Sequence, residues 1–319
     1  MLADLANRLR QSMGILHKQD IQVAARGLGD QWNQSILLGD DCAAIPDGNG
    51  YLLLAAEGML PQLIESDPWF AGWCAVMVNV SDIYSMGGEA IAIVDTLWSE
   101  SPDSITELLA GMKAASQAYQ VPIVGGHTNC RSIYKALSVA ILGRAQNLLT
   151  SFNAQPHDVL LAAIDLRGQY HPDYSFWNAA TNADPPRLRE NLAILPYLAN
   201  SGLCDAAKDI SMGGLIGTLL MLMETSNCGA VLNLDQIPIP ANVDLERWLT
   251  SFPSYGFLMS VRPEKVAAIQ NLFHAQDLAC AAVGQVQKSP QVILRSQDQS
   301  HLFWDLSQQA LTGFSQAIN

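Results

Sequence analysis

The chain has 319 residues, 49% of them hydrophobic, and its 30 acidic against 17 basic residues give a formal charge of −13. That length and apolar content exclude a disordered chain and allow one large core or, better, two domains of ordinary size. The acidic balance excludes a surface built to neutralise nucleic-acid phosphates or anionic lipid, and six dispersed cysteines without a C-x-x-C pair give neither a zinc site nor a disulfide scaffold.

Residues 2–14 carry Leu2, Leu5, Leu9 and Met13 at helical spacing, which predicts one amphipathic helix. Asp4, Arg8 and Arg10 interrupt its apolar residues, so no hydrophobic signal core is present, and no apolar run reaches membrane length. A soluble, cytoplasmic protein with no membrane partner is the expectation. Ile36-Leu37-Leu38 reads as a short strand running into Gly39-Asp40-Asp41-Cys42-Ala43-Ala44, which places two adjacent acids at a strand end. After the turn at Pro46 to Gly50, Tyr51 to Ala56 reads as a buried strand ending at Glu57-Gly58.

The following stretch sets the chemistry. Phe70, Trp73, Cys74, Val76, Met77, Val80, Ile83 and Tyr84 recur near the helical period, and Gly87-Gly88 supplies a left-handed stop. Asp82 is the exception on this buried helix, because a carboxylate there is costly unless it is hydrogen-bonded, paired or bound to a cation. Ile91 to Leu97 then reads as a strand, Ser104 to Tyr119 as a helix, Val121 to Val124 as a strand leading into a polar turn at Gly125-Gly126-His127-Thr128, and Leu137 to Leu142 as another strand.

A polar connector from Thr150 to Asp158 marks the domain boundary and gives three segments: a helical 1–34, an N-terminal domain 35–152 and a C-terminal domain 153–319. Val159 to Ile164 reads as a strand. The stretch from Arg167 to Arg187, rich in Tyr, Trp, His, Asn and Pro, reads either as inert surface or as a covering loop whose Tyr170, His171, Tyr174 and Trp177 would line an acceptor pocket. Leu188 to Ser201 reads as a helix. Asp209-Ile210-Ser211-Met212-Gly213-Gly214 precedes a buried helix from Ile216 to Glu224, where glycines can turn backbone N–H groups toward a phosphate. The last third alternates strands at 230–234, 257–261 and 281–286 with a helix at 263–274, and Val292 to Arg295 reads as an edge strand.

Taken together, these polar points resemble the superfamily of aminoimidazole ribonucleotide (AIR) synthetase, selenophosphate synthetase, thiamine-monophosphate kinase and the hydrogenase-maturation carbamoyl-dehydrating enzyme. Gly39 to Ala44 looks like its G-D-D-A-A, Asn79 to Gly88 its N-x-x-S-D-[IL]-x-x-M-G-[GA], Val121 to Thr128 its V-P-[IL]-x-G-G-[HD]-T, Asp209 to Leu215 its D-[VI]-[ST]-x-G-[GF]-L, and Gly284-Gln285-Val286 its closing I-G-x-V. The resemblance implies a mixed α/β fold of two AIR-synthase-like domains, the N-terminal one pairing into a dimeric β-barrel and the C-terminal one an α/β sandwich. It further implies ATP in a cleft, with magnesium bridging the phosphates.

Carried over by position, the metal-binding acids are Asp40, Asp41 and Asp82, with Glu57 where the family usually has aspartate. Asn79, Ser81, Gly125, Gly126, His127, Thr128, Asp209, Gly213 and Gly214 fall at the ATP or phosphate positions, each with a structural alternative as a cap, brace or turn residue. Lys208 is read as a solvated side chain or a point charge on phosphate, and Cys42 as a small buried residue rather than a nucleophile; no catalytic side chain is assigned.

The wording is closest to selenophosphate synthetase, but 1–34 holds no cysteine; Met212 replaces the second acid of the kinase motif, and no cysteine stands at 315–319. The expected function is ATP- and magnesium-dependent phosphoryl transfer to, or activation of, an unidentified small-molecule acceptor by a homodimer. A catalytically weakened nucleotide-binding or regulatory homologue is one alternative, and thiamine-monophosphate kinase-like or selenophosphate synthetase-like activity is another.

Overall fold

The structure is a computed structural model and describes residues 2–28 and 36–314. The chain divides into two compact units, one of residues 41–148 and 180–196, the other of 1–40, 149–179 and 197–319. The N-terminal helices, expected as a segment of their own, thus belong with the unit that carries the second half of the chain.

The unit of residues 41–148 and 180–196 is built on a five-stranded sheet in the order β1-β2-β5-β3-β4. Its strands are β1 (Ala43–Asp47), β2 (Gly50–Gly58), β3 (Glu89–Trp98), β4 (Ile123–Asn129) and β5 (Ala136–Ala145). β1 and β2 form a hairpin through Gly48-Asn49, and β3 pairs with β4 in parallel, the other neighbours being antiparallel. Between β2 and β3 run α3 (Pro61–Ser66) and α4 (Pro68–Ser85), and α5 (Thr106–Tyr119) follows β3. The helix read around Asp82 is α4. Asp67 caps it by accepting the Phe70 N–H at 3.0 Å, Pro68 supplies the first-turn φ, and Gly87 ends it at φ +75°. Two glycines let α4 and α5 touch backbone to backbone: a Cβ on Gly72 would fall 2.0 Å from the Leu108 carbonyl, and one on Gly111 1.9 Å from that of Trp69.

The other unit holds a seven-stranded sheet in the order β14-β13-β10-β12-β6-β11-β9. Its strands are β6 (Val159–Ile164), β9 (Ala206–Asp209), β10 (Gly229–Asn233), β11 (Gly256–Val261), β12 (Ala279–Gln287), β13 (Gln291–Ser296) and β14 (Gln299–Asp305); a short ribbon pairs β7 (Gln169–Tyr170) with β8 (Trp177–Asn178). The helices that accompany it are α1 (Leu2–Arg10), α2 (Met13–Leu28), α7 (Gly214–Thr225), α8 (Leu245–Leu249) and α9 (Val266–His274), and α6 (Pro185–Asn200) lies between β8 and β9 in sequence. Every residue of α7 is buried, as its largely apolar sequence favours. The polar Glu224 at its end is satisfied by the N–H groups of Leu311 and Thr312 at 2.7 and 2.8 Å.

Four expectations need correcting. The helix expected over 2–14 breaks at Gln11-Ser12, where the backbone turns back on Arg8 and Leu9 before α2 begins. Ile36 to Leu38 form no strand; the triplet has no pairing partner in either sheet. Val292 to Arg295 is interior rather than edge, because β14, whose alternation is masked by Gln299, Ser300 and His301, pairs outside it. The Gly125-to-Thr128 segment is not a turn after a strand but part of β4 itself, paired with Val94 to Leu97. Among the described residues, no helix is long and apolar enough to cross a membrane.

Candidate functional site

Asp82 sits in the last turn of α4, its residue only 6% exposed. Its carbonyl accepts from the Cys42 thiol at 3.2 Å and lies 2.8 Å from the Ser85 hydroxyl. The same hydroxyl lies 2.7 Å from an Asp41 carboxylate oxygen. Asp41 and Asp82 each bring a carboxylate oxygen to within 4.8 Å of the other. Two negative charges so placed repel by roughly 3 kcal/mol at an effective dielectric of about 20, a cost that a shared cation reverses. Their oxygens are hard donors of the kind magnesium takes, with water completing its shell. The donor chemistry of this pair fits that ion. Cys42 accordingly serves as a hydrogen-bond donor to the end of α4 rather than as an exposed thiol.

Asp40 behaves differently from its neighbour. One of its carboxylate oxygens accepts the Thr150 hydroxyl at 2.6 Å and the Ser151 N–H at 2.8 Å, and the other lies 3.5 Å from the Lys208 ammonium. Both side chains of that ion pair are 1% exposed, so Lys208 is neither solvated nor on the surface. Gly39 precedes Asp40 at φ +107°, and a Cβ there would strike the Phe314 side chain at 2.5 Å. Glu57 lies exposed on β2 opposite Val139 and outside the Asp41–Asp82 pair.

Asn79 and Ser81 are buried on α4. The Asn79 amide donates to the Ala75 carbonyl at 2.8 Å, while its Oδ1 and the Ser81 hydroxyl have no hydrogen-bond partner among the described residues. Gly125, Gly126, His127 and Thr128 are exposed along β4, an edge strand, and the His127 ring lies 6.3 Å from that of Trp98. Asp209 closes β9 and is buried; its carbonyl accepts from Thr218 at 3.0 Å, and its carboxylate lies 3.4 Å from the Ser254 hydroxyl. Gly213, at φ +92°, is the N-cap of α7, and Gly214, at φ +64°, is its first residue. A Cβ on Gly214 would fall 2.4 Å from the Leu249 carbonyl, so both positions exclude other residues.

The aromatic loop is more a packed satellite than an open lining. Trp177 donates to the Asp165 carbonyl at 2.9 Å and meets Trp248 edge-on at 5.1 Å, and Phe176 packs on Phe252 at 4.8 Å. Tyr170, whose hydroxyl lies 2.8 Å from that of Ser251, carries the Arg247 guanidinium over its ring at 3.6 Å. Sequence reasoning missed Ser85, Thr150 and Ser151. Ser85 was findable, three residues after Asp82 and therefore on its helix face; Thr150 lies 110 residues from Asp40 and carries no local signal.

Residues 39–145 match the model of the AIR synthase related protein, N-terminal domain, and residues 163–297 that of the AIR synthase related protein, C-terminal domain. The chain belongs to the AIR synthase-related family. An uncharacterised protein of Synechocystis is 56% identical over 99% of this chain and 99% of its own length. The thiamine-monophosphate kinase of Pyrococcus abyssi is 29% identical, covering 72% of this chain and 78% of its own. Among solved structures, Thermotoga maritima PurL complexed with ADP matches with a TM-score of 0.76 at 17% identity, over 98% of this chain and 55% of that one. The chain thus spans about half of PurL, and at that identity the likeness shows the AIR synthase-like fold.

Proposed function

We propose that this AIR synthase-related protein binds ATP with magnesium and passes a phosphoryl group to a small-molecule acceptor, working as a homodimer. The observation that carries this reading is the Asp41–Asp82 pair, two carboxylates within 4.8 Å of each other at the end of a buried helix. Kinase and ADP-complexed relatives of the same family support the nucleotide.

In this reading Asp41 and Asp82 hold the ion, and Ser85 orients the Asp41 carboxylate toward it. The metal, when bound, offsets charge on the triphosphate and aligns it for in-line transfer. Asn79 and Ser81 offer an amide oxygen and a hydroxyl from α4; Glu57, Asp209 and the β4 residues Gly125, Gly126, His127 and Thr128 are further contacts to metal or phosphate. The N–H groups that open α7 behind Gly213 and Gly214 favour an anion there. No protein nucleophile is needed, since positioning and charge supply the catalysis. The homodimer is supported by the five-stranded sheet, where Leu54, Val94 and Leu142 remain 46%, 43% and 36% exposed.

The test is thermal unfolding with ATP and magnesium, together and singly. A ligand at about a hundred times its Kd stabilises by about 2.7 kcal/mol. The wild type should show an upward shift that needs both components, and Asp82→Asn should lose it. A wild type that does not respond, or an Asp82→Asn variant that responds equally, overturns the reading. Met212, in the place of the second acid of the kinase motif and with its sulfur 3.2 Å from His17 Nδ1, favours a second reading in which nucleotide binds without turnover. Assays of ATP breakdown against pools of small acceptors separate the two: a background rate with nucleotide binding intact selects the second.

A further inference from the structure

The adjacent acids Asp40 and Asp41 are chemically alike and placed to do different work. Asp41 reaches Ser85 and approaches Asp82. The Asp40 side chain is 1% exposed and takes a hydroxyl, a backbone N–H and an ammonium. Lys208 is equally buried, and a buried ammonium and a buried carboxylate at this distance offset part of each other's desolvation cost. A cation placed on Asp40 Oδ1 would face the Lys208 ammonium, 3.5 Å from that oxygen, as a like charge. The other oxygen already has its hydroxyl and amide donors at 2.6 and 2.8 Å.

We infer that Asp40 is a positioning residue paired with Lys208, not a cation ligand, and that the pair pins the segment from which Asp41 reaches toward Asp82. The functional half of this inference rests on the magnesium–ATP reading above. Its structural half does not. The arrangement also accounts for Lys208, which anchors the end of β9 immediately before Asp209.

The experiment uses the full chain with Asp40→Asn, Lys208→Gln, the double variant, and Asp41→Asn as the ligand control. Two quantities are read: the melting temperature without ligand, and the magnesium concentration that half-saturates the ATP-dependent thermal shift. If Asp40 positions, each single variant removes the opposite charge from a buried one, melts lower and needs roughly tenfold or more magnesium, the usual penalty for losing a partner behind a ligand. The double variant, with a neutral amide pair, should melt above the worse single and recover most of the magnesium response. Asp41→Asn should lose that response, with or without Lys208→Gln.

A double variant that folds but needs as much magnesium as Asp40→Asn makes Asp40 a ligand and overturns the inference. So do additive losses of melting temperature in the double variant, which deny the pairing. Should the wild type ignore ATP and magnesium altogether, the proposed function fails, and the melting-temperature cycle alone then decides the Asp40–Lys208 pair.

Discussion

In the seven-stranded sheet β11 is buried at all six of its positions, and β6 at all but Val159. In the five-stranded sheet burial alternates. Leu53, Ala55, Ile93, Leu97, Leu137, Val139 and Ile141 are buried on the face that meets α4, while Leu54, Val94 and Leu142 on the other remain well exposed. Register puts these in rows: Leu54 stands opposite Leu142, and Val94 opposite Ala140. An antiparallel sheet can leave one face to water, but that face is then polar, and this one is not. The difference separates a sheet completed within its own unit from one that presents an apolar face, which the proposed homodimer would cover with a second copy of itself.

The largest expected effect comes from overfilling the covered side of the five-stranded unit. Gly111→Val puts a branched side chain where even a Cβ lies 1.9 Å from the Trp69 carbonyl, so α5 must leave α4. A loss of about 3 kcal/mol or more is expected, seen as rapid proteolysis within 41–148. Next, Leu258→Ala empties a fully buried position of β11 and should cost about 2–5 kcal/mol at any protein concentration. Leu54→Ala, on the open face, should cost under about 1 kcal/mol in dilute solution. Equal losses at the two positions would erase the contrast between the sheets.

Smaller in free energy, yet more telling for assembly, is Val94→Glu. In the dimer reading the wild type sediments as two copies and melts higher as its concentration rises, because only the folded chain self-associates. Val94→Glu should sediment as one copy, with a melting temperature that no longer depends on concentration. A wild type that is monomeric at every concentration removes the dimer and leaves the open face without an occupant.

Legibility in the sequence tracked how local each cause is. α4 could be read because its apolar period, its buried carboxylate and its Gly87 stop lie within one stretch, and β6 because a short unbroken apolar run suits a strand covered on both faces. The edge position assigned to β13 and the strand at Ile36 to Leu38 could not be judged locally, since both depend on whether a distant partner pairs. The same holds at the site. That Asp41 and Asp82 approach each other follows the order of the family motifs, but that Asp40 turns instead to Thr150, Ser151 and Lys208 depends on residues more than a hundred positions away.

The smallest expected effect concerns a charge on the covered face of the five-stranded sheet. Asp95 follows the alternation of Ile93 and Leu97, and a Cβ on Gly126 would lie 2.4 Å from its Oδ1, so the carboxyl group lies against the backbone of β4 at its side. Desolvation raises its pKa above the usual aspartate value, only partly opposed by a hydrogen bond from its own backbone. A carboxyl group raised in the folded state binds protons more tightly there than in the unfolded chain. Its contribution is therefore fully present below the unfolded value of about 4 and is lost as pH rises through the folded one. Asp95→Asn removes this dependence. The variant should gain stability relative to the wild type as pH climbs from about 4 toward neutrality, and the two unfolding curves should converge on acidification. A gap that instead widens toward low pH would mean that Asp95 is held ionised, and the face beneath β4 would then be more polar than the rest of the covered side.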